Sequence, residues 1–337
     1  MIKKIILITI IIVSTIIFYR NKQLSYTYDY FYLDTVNSIT IYYQNKDHID
    51  PIEIDNGIET ILKSMEDTFS IYQTDSMIST LNQEKTIQMN EDFKTLIEKS
   101  LYYCNQSMQK YDPTIYPITN LWSINNDNYY PTNAEINQQL TTVDCNNIII
   151  EDNTITLINE ATIDLGSIVK GYSADLIVNY LTTQGIDQAI INLGGNVSTM
   201  NPKNGTNGYT VGIANPLIDQ SGTVATIQVS NKAVVTSGIN QRYFIKDNQV
   251  YHHLIDANTG YPVENNLASV TIIADQGIDA DALSTMVFLM GLEQGYEYIE
   301  TLQGVDAIFI TKDKKIYSTS DTLNLQITDQ SFTLNQL

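Results

Sequence analysis

The stretch 279–291, DADALSTMVFLMG, is apolar on nearly every side once its opening aspartates are passed. At roughly three turns of helix it is too greasy to lie on a surface, because a helix without a polar face must be enclosed by other elements. Whatever this chain folds into has to wrap around that segment. Asp281 and Thr285 stand four apart, so a helix beginning near Ala280 puts a carboxylate and a hydroxyl on one face at its start. Asp279 is the better candidate for the cap. Asp281 and Thr285 then read as hard oxygen donors suited to Mg2+, an ion that keeps waters and substrate phosphate oxygens as its other ligands. Helix capping is the alternative reading of the same residues.

The sequence around it mixes both periodicities. Residues 31–43 (FYLDTVNSITIYY) alternate and are β-branched, as a strand requires, while Asp55–Phe69 and Asp92–Lys110 carry helical stripes. Asp75 or Ser76 can cap a short helix, YDPTIYPITNLW reads as a proline-broken loop, and residues 131–140 as a short helix. Two strands meet at an Asp152-Asn153 turn, and residues 161–185 read as strand, glycine turn and helix. QAIINLGGNVSTM reads as a strand entering another glycine turn, and strands follow at 209–213, 224–229, 233–235, 268–274 and 305–310, with a helix at 280–300 and a final strand pair. Many strands close together, interleaved with helices, predict an α+β fold: a single compact domain, 31–337, with substantial antiparallel sheet.

At the other end, Lys3 and Lys4 precede an apolar run from Ile5 to Tyr19, with Arg20 and Lys22 behind it. Residues 1–22 therefore read as an N-terminal apolar anchor helix, or a signal segment if cleaved, and 23–30 as a tyrosine-rich polar tether. Either reading exports the remainder: a cell-membrane protein with the domain 31–337 extracytoplasmic, or a secreted one. Two cysteines are too few for a disulfide framework; burial habit favours two free thiols at Cys104 and Cys145 over a single bridge.

Charge narrows the function. Eighteen basic residues against 38 acidic ones leave a net charge of −20, which repels nucleic acid. The only arginines are Arg20 and Arg242, so an arginine clamp on phosphate is hardly available. Any phosphate bound here needs a metal cation, backbone N–H groups and a lysine instead. DLGSIVKG supplies that chemistry at a helix start: Gly166, Ser167, Lys170 and Gly171. NLGGNV places Gly194, Gly195 and Asn196 at a strand end, and VVTSGINQRYF places Thr236, Ser237 and Gly238 at another. HHLIDANTGYPV supplies His253 with Asp256 and Thr259, which read either as a base with an orienting carboxylate or as a histidine satisfied within a β-turn. His252 and His253 are adjacent, so in a strand only one faces a given site.

Taken in order, FYLDTVNSITIY, FSIYQTDSMISTLN, YDPTIYPITNLW, DLGSIVKGYSAD, INLGGNV, VVTSGINQRYF, HHLIDANTGYPV and DADALSTMVFLMG resemble the motifs of the ApbE family of FAD:protein FMN transferases, across about residues 31–320. The resemblance implies a T-fold-like core that binds FAD and Mg2+. It implies transfer of FMN from FAD to a threonine or serine hydroxyl of an exported redox protein, with release of AMP. It implies His253 as the catalytic residue, Asp281 and Thr285 as side-chain metal ligands, and Ser167 as a carbonyl ligand. Lys170 and the Gly166 turn would steady the phosphates. Asp34, Thr35, Asn82, Asp112, Thr114, Gly194, Gly195, Ser237, Asp256 and Thr259 would bind the rest of the dinucleotide. Asp34 departs from the glycine usual at its position, Tyr116 from a common glycine and Ala257 from a common proline. FAD hydrolysis to FMN and AMP, or a non-catalytic exported flavin-binding protein, are the rival expectations.

Overall fold

The computed structural model describes residues 22–337 apart from 48, 125 and 204. The expected anchor run lies outside the described residues, and among those described no helix is long and apolar enough to cross a membrane.

One nine-stranded sheet organises the molecule: β1 (Gln23–Tyr32), β2 (Thr35–Gln44), β3 (Gln188–Leu193), β4 (Asn196–Thr199), β5 (Ala233–Gly238), β6 (Leu267–Ala274), β7 (Asp306–Thr311), β8 (Lys315–Ser318) and β9 (Thr333–Asn335). Spatial order follows chain order. Neighbours are antiparallel except β8 and β9. The fold is thus a meander opened by long insertions, and those insertions carry the helices: α1 (Pro51–Phe69), α2 (Met77–Glu84), α3 (Glu91–Gln106), α4 (Tyr116–Trp122), α5 (Asn133–Leu140), α6 (Val169–Thr183), α7 (Gly277–Met290) and α8 (Leu292–Glu300). The expected mixed α and β domain with a large antiparallel sheet is what forms.

Several local expectations change for identifiable reasons. Residues 23–30 are no tether but most of β1. Its tyrosines recur every second residue, and Tyr28, Tyr30 and Tyr32 reach Pro51 O, Asp55 and Glu59 on α1. Two residues of strand and four of helix advance by nearly the same ~6 Å, so the two rows stay in step. The proline-broken loop is a 3-10 turn, Pro113–Ile115, running into α4. Pro117 lies in the first turn of α4, where its missing N–H has no intrahelical partner to lose. No strand forms at 161–165, and the expected helix 280–300 is broken by Gly291, whose φ of +87° ends α7 and opens α8. Ser76, not Asp75, caps α2, accepting from Ser79 N at 3.1 Å. The two free thiols are corrected to a disulfide, Cys104–Cys145, with Cα atoms 6.7 Å apart. Asp112 brings the second cysteine in by accepting its N–H at 2.8 Å, a tertiary contact that spacing does not reveal.

The sheet is covered on both faces over its centre, and β6 is buried along its whole length. On one face α1 and α6 cover β2 and β3 through Ile54, Ile58, Leu62, Ile177 and Leu181 against Ile39, Ile41, Ile191 and Leu193. Beside them α7 lies on β5 and β6. Opposite, the strands Tyr209–Ala214 and Thr223–Val229 pack on Val234, Ile273, Ile308 and Ile310. Leu283, Met286, Val287 and Phe288 of α7 are buried, each contributing about 1.5–3 kcal/mol.

Two glycines let α6 and α7 cross with their backbones touching. A Cβ on Gly171 would lie 2.0 Å from Gly277 O, and one on Gly277 would lie 2.4 Å from Gly171 O. Carboxylates then cap reciprocally. Asp281 Oδ2 accepts Gly171 N–H at 2.9 Å. Asp175 accepts Gly277 N–H at 2.7 Å and Ile278 N–H at 2.9 Å. Asp279 is therefore not the cap of α7; it binds Tyr103 OH at 2.5 Å and Lys99 Nζ at 2.6 Å. Gly171→Ala must push the helices apart and should destabilise the protein by about 1–3 kcal/mol. Urea unfolding measures this, and an unchanged midpoint would contradict the close crossing.

Candidate active site

Where α6, α7 and the end of β5 converge, the fold leaves a cleft of about 850 Å3, large enough for a dinucleotide-sized ligand. Asp281 and Thr285 line it from the second and third turns of α7, and Gly166, Ser167 and Lys170 from the approach to α6 and its first turn. Asp281 is 4% exposed. Its Oδ2 holds Gly171 N–H, with Lys170 Nζ 3.7 Å away. Thr285 Oγ1 lies 3.2 Å from Ser237 Oγ, which also bonds Ser284 Oγ at 2.8 Å. Ser167 turns its hydroxyl to Tyr111 OH, 3.0 Å away, so its carbonyl is the group left to serve a ligand. This set is carboxylate, hydroxyl and carbonyl, all hard oxygens, and it fits Mg2+ better than a softer metal. Among the described residues one trio of potential metal-ligating side chains lies close together, Cys104, Asp112 and Cys145, but its sulfurs are bonded to each other and cannot act as thiolate ligands.

Beside the cleft stands a hairpin, Tyr243–Lys246 with Gln249–His252, and the residues at its open end, Arg242 and His253, border the cleft. Phe244 and Tyr251 stack at 5.3 Å between ring centroids, and Tyr251 stacks on Trp122 at 5.6 Å. Trp122 is fixed in turn by its indole N–H to Gly260 O at 2.8 Å. Arg242 and His253 flank the open end of this hairpin and meet there. His253 N–H donates to Arg242 O at 3.1 Å, and His253 Nδ1 lies 3.2 Å from the same oxygen. A carbonyl only accepts, so Nδ1 carries the proton and Nε2 keeps its lone pair. His253 lines the cleft and is half-buried. Burial, more than the nearby Arg242 charge, pushes its pKa down to about 3, against the opposing backbone bond to Arg242. It is a neutral base at neutral pH. His252 points the other way, as alternation requires, and packs edge-on to Phe288.

Charges in the cleft come mostly in pairs. Arg242 lies 3.3 Å from Asp34 across the mouth. Lys170 also donates to Gly166 O at 3.0 Å, and Lys110 bonds Leu289 O at 3.3 Å with Asp256 at 3.7 Å. Burial raises the pKa of Asp112 and of Asp164; hydrogen bonds from Thr114 and Cys145, and from Gly166, work against it. An anionic ligand therefore meets carboxylates as well as cations.

Eleven of the sixteen expected site residues border the cleft: His253, Asp281, Thr285 and Ser167, with Asp34, Thr35, Asp112, Gly166, Lys170, Gly194 and Ser237. Gly194 must be glycine, since a Cβ there would lie 2.5 Å from Thr35 Oγ1 at a φ of +60°. Five expected ligand-binding residues do not border it. Asn82 braces the backbone of Ile163 by donating and accepting, at 2.9 and 2.7 Å. Thr114 is fully buried on Asp112. The N–H of Gly195 is held by Asn192 Oδ1. Asp256 and Thr259 form the turn after the hairpin, where Asp256 O accepts from Thr259 N and Gly260 N. Arg242, Asp164 and Tyr72, which the sequence reading gave no role, do border the cleft. Only the place of Arg242 just after the Ser-Gly turn, and of Asp164 just before Gly166, hinted at this.

The ApbE family profile matches residues 33–309. FAD:protein FMN transferases of Klebsiella pneumoniae and Treponema pallidum are each 30% identical to this chain. The first match spans 77% of this chain and 83% of the relative, the second 82% of each. Among solved structures, the flavin transferase ApbE of Vibrio cholerae superposes with a TM-score of 0.79 at 26% identity, covering 89% of this chain and 98% of that one. The ApbE protein of Thermotoga maritima gives 0.80 at 28% identity, covering 87% and 96%. The fold, the order of the cleft motifs and these matches agree, and the chain belongs to the ApbE family.

Proposed function

We propose that this chain transfers FMN from FAD to a threonine or serine hydroxyl of an exported redox protein, releasing AMP, with Mg2+ as its metal. The observation that carries the reading is the shared cleft. A neutral imidazole with an available Nε2 faces the same space as the Asp281–Thr285 oxygen pair. The acceptor hydroxyl oxygen attacks the FMN phosphorus, a new P–O bond forms, and the diphosphate P–O bond to AMP breaks. His253 Nε2 takes the hydroxyl proton as that bond forms. Lys170 and the Gly166 turn hold phosphate oxygens, and the hairpin keeps the His253 ring aimed. Asp281, Thr285 and the Ser167 carbonyl would hold Mg2+, which when bound offsets the negative charge of the diphosphate. That contribution suits a cleft whose cations are already engaged by carboxylates and carbonyls.

The disulfide supports an exported location, since such bridges persist in oxidising compartments. The proposal places the catalytic domain outside the cytoplasm, tethered by residues 1–22 or secreted.

His253→Ala should keep FAD affinity within a few-fold and lower transfer by about 10²–10⁴-fold, followed as mass gain of an acceptor peptide; equal activity would remove the base assignment. Because the folded pKa of His253 is depressed, the base stays deprotonated well below the ordinary imidazole range. Transfer by the unaltered protein should thus show no loss as pH falls from 8 to 6, and a fall centred near 6.5 would contradict it. Asp281→Ala should abolish the response of turnover to added Mg2+, read from AMP release against Mg2+ concentration. An unchanged titration curve would count against the ligand assignment.

A further inference from the structure

Of the buried side-chain polar atoms without a hydrogen-bond partner among the described residues, Asn196 Nδ2 is the one whose residue also borders the cleft. Asn196 is 5% exposed. A buried donor left unpaired is costly, so folds rarely retain one without a use. Its position says what the use is. Asn196 opens β4, two residues before Ser198, which pairs with Ala233 of β5. Side chains alternate along a strand, so Asn196, Ser198, Ala233 and Ser237 share one face of the sheet. Ser237 is the residue that bonds Thr285 and Ser284 of α7. Asn196 therefore stands one strand over from the oxygen cluster that would meet the diphosphate, on the same side. The turn that delivers it, Gly194 and Gly195 at φ +60° and +97°, packs on Thr35, itself in the cleft wall.

We infer that Asn196 is a substrate-binding residue whose carboxamide N–H donates to an acceptor oxygen in the diphosphate–ribose segment of the bound dinucleotide. The inference rests on the flavin-transferase reading and assigns one specific contact within it. Carboxamide donors of this kind fix a ligand's orientation and penalise analogues that cannot accept.

The test is FAD binding by the whole chain, followed by quenching of flavin fluorescence in the presence of Mg2+, with the melting temperature of the ligand-free protein alongside. Asn196→Ala should raise the FAD dissociation constant about tenfold or more. Its ligand-free melting temperature should not fall, because the substitution removes an unpaired buried donor. Asn196→Asp, which replaces the donor with an acceptor of the same shape, should weaken binding further than Ala. Affinities within twofold of the unaltered protein in both variants overturn the assignment. So does a lower ligand-free melting temperature with unchanged affinity, the signature of a purely structural role. If the unaltered protein itself leaves FAD fluorescence unchanged, the flavin reading falls first and the assignment with it.

Discussion

Two helix N-termini meet backbone to backbone at Gly171 and Gly277, and each is capped by a carboxylate from the other helix. Exposed N–H groups at a helix start carry partial positive charge, so two such ends brought together repel unless anions sit between them. Asp175 and Asp281 are those anions. Burial raises Asp175 to a pKa of about 6 despite its two N–H bonds. Asp281 does double duty. One oxygen closes the helix junction, and the carboxylate as a whole borders the cleft. The rest of the site is referenced to this crossing, since it fixes α7 against the sheet and so fixes Thr285 against Ser237.

The scarcity of arginine shapes the cleft's chemistry. With Arg242 tied to Asp34 and holding the His253 ring through its carbonyl, its function is as much positional as electrostatic. Lys170 and Lys110 are each engaged by a carboxylate and a backbone carbonyl. On the proposed reading, a diphosphate entering such a cleft would be stabilised by a further cation beside it. The hard-oxygen set at Asp281, Thr285 and Ser167 is where one would sit. Electrostatics and donor chemistry thus lead to the same three residues.

The hairpin that ends at His253 illustrates how a small satellite core positions a side chain in the cleft of a larger one. Trp122, Phe244 and Tyr251 form a packed aromatic group apart from the main core. Their contact sets the tilt of the hairpin and with it the His253 ring. A histidine on an unsupported loop would be exposed, and its pKa would remain near that of free imidazole.

Periodicity and order in the sequence determined much of this protein. The apolar wrap of 282–291 required an enclosed helix, strict alternation separated His253 from His252, and the i, i+4 spacing put Asp281 and Thr285 on one face. All of these are local, because a helix or strand repeats its own geometry. Tertiary structure alone decided what depends on distant partners. The tyrosines of 23–32 became a sheet edge only because α1 offers Pro51, Asp55 and Glu59 in step with them. Cys104 and Cys145 became a disulfide because Asp112 holds their two segments together. Asn82 and Asp256 turned from the ligand to the backbone because N–H and C=O groups nearby required partners, and Thr114 turned to the Asp112 carboxylate. Asn196 Nδ2 was left without a partner, because its side chain borders the cleft where no acceptor among the described residues reaches it. Hydrogen-bond satisfaction is a property of the folded neighbourhood, and no spacing within one segment specifies it.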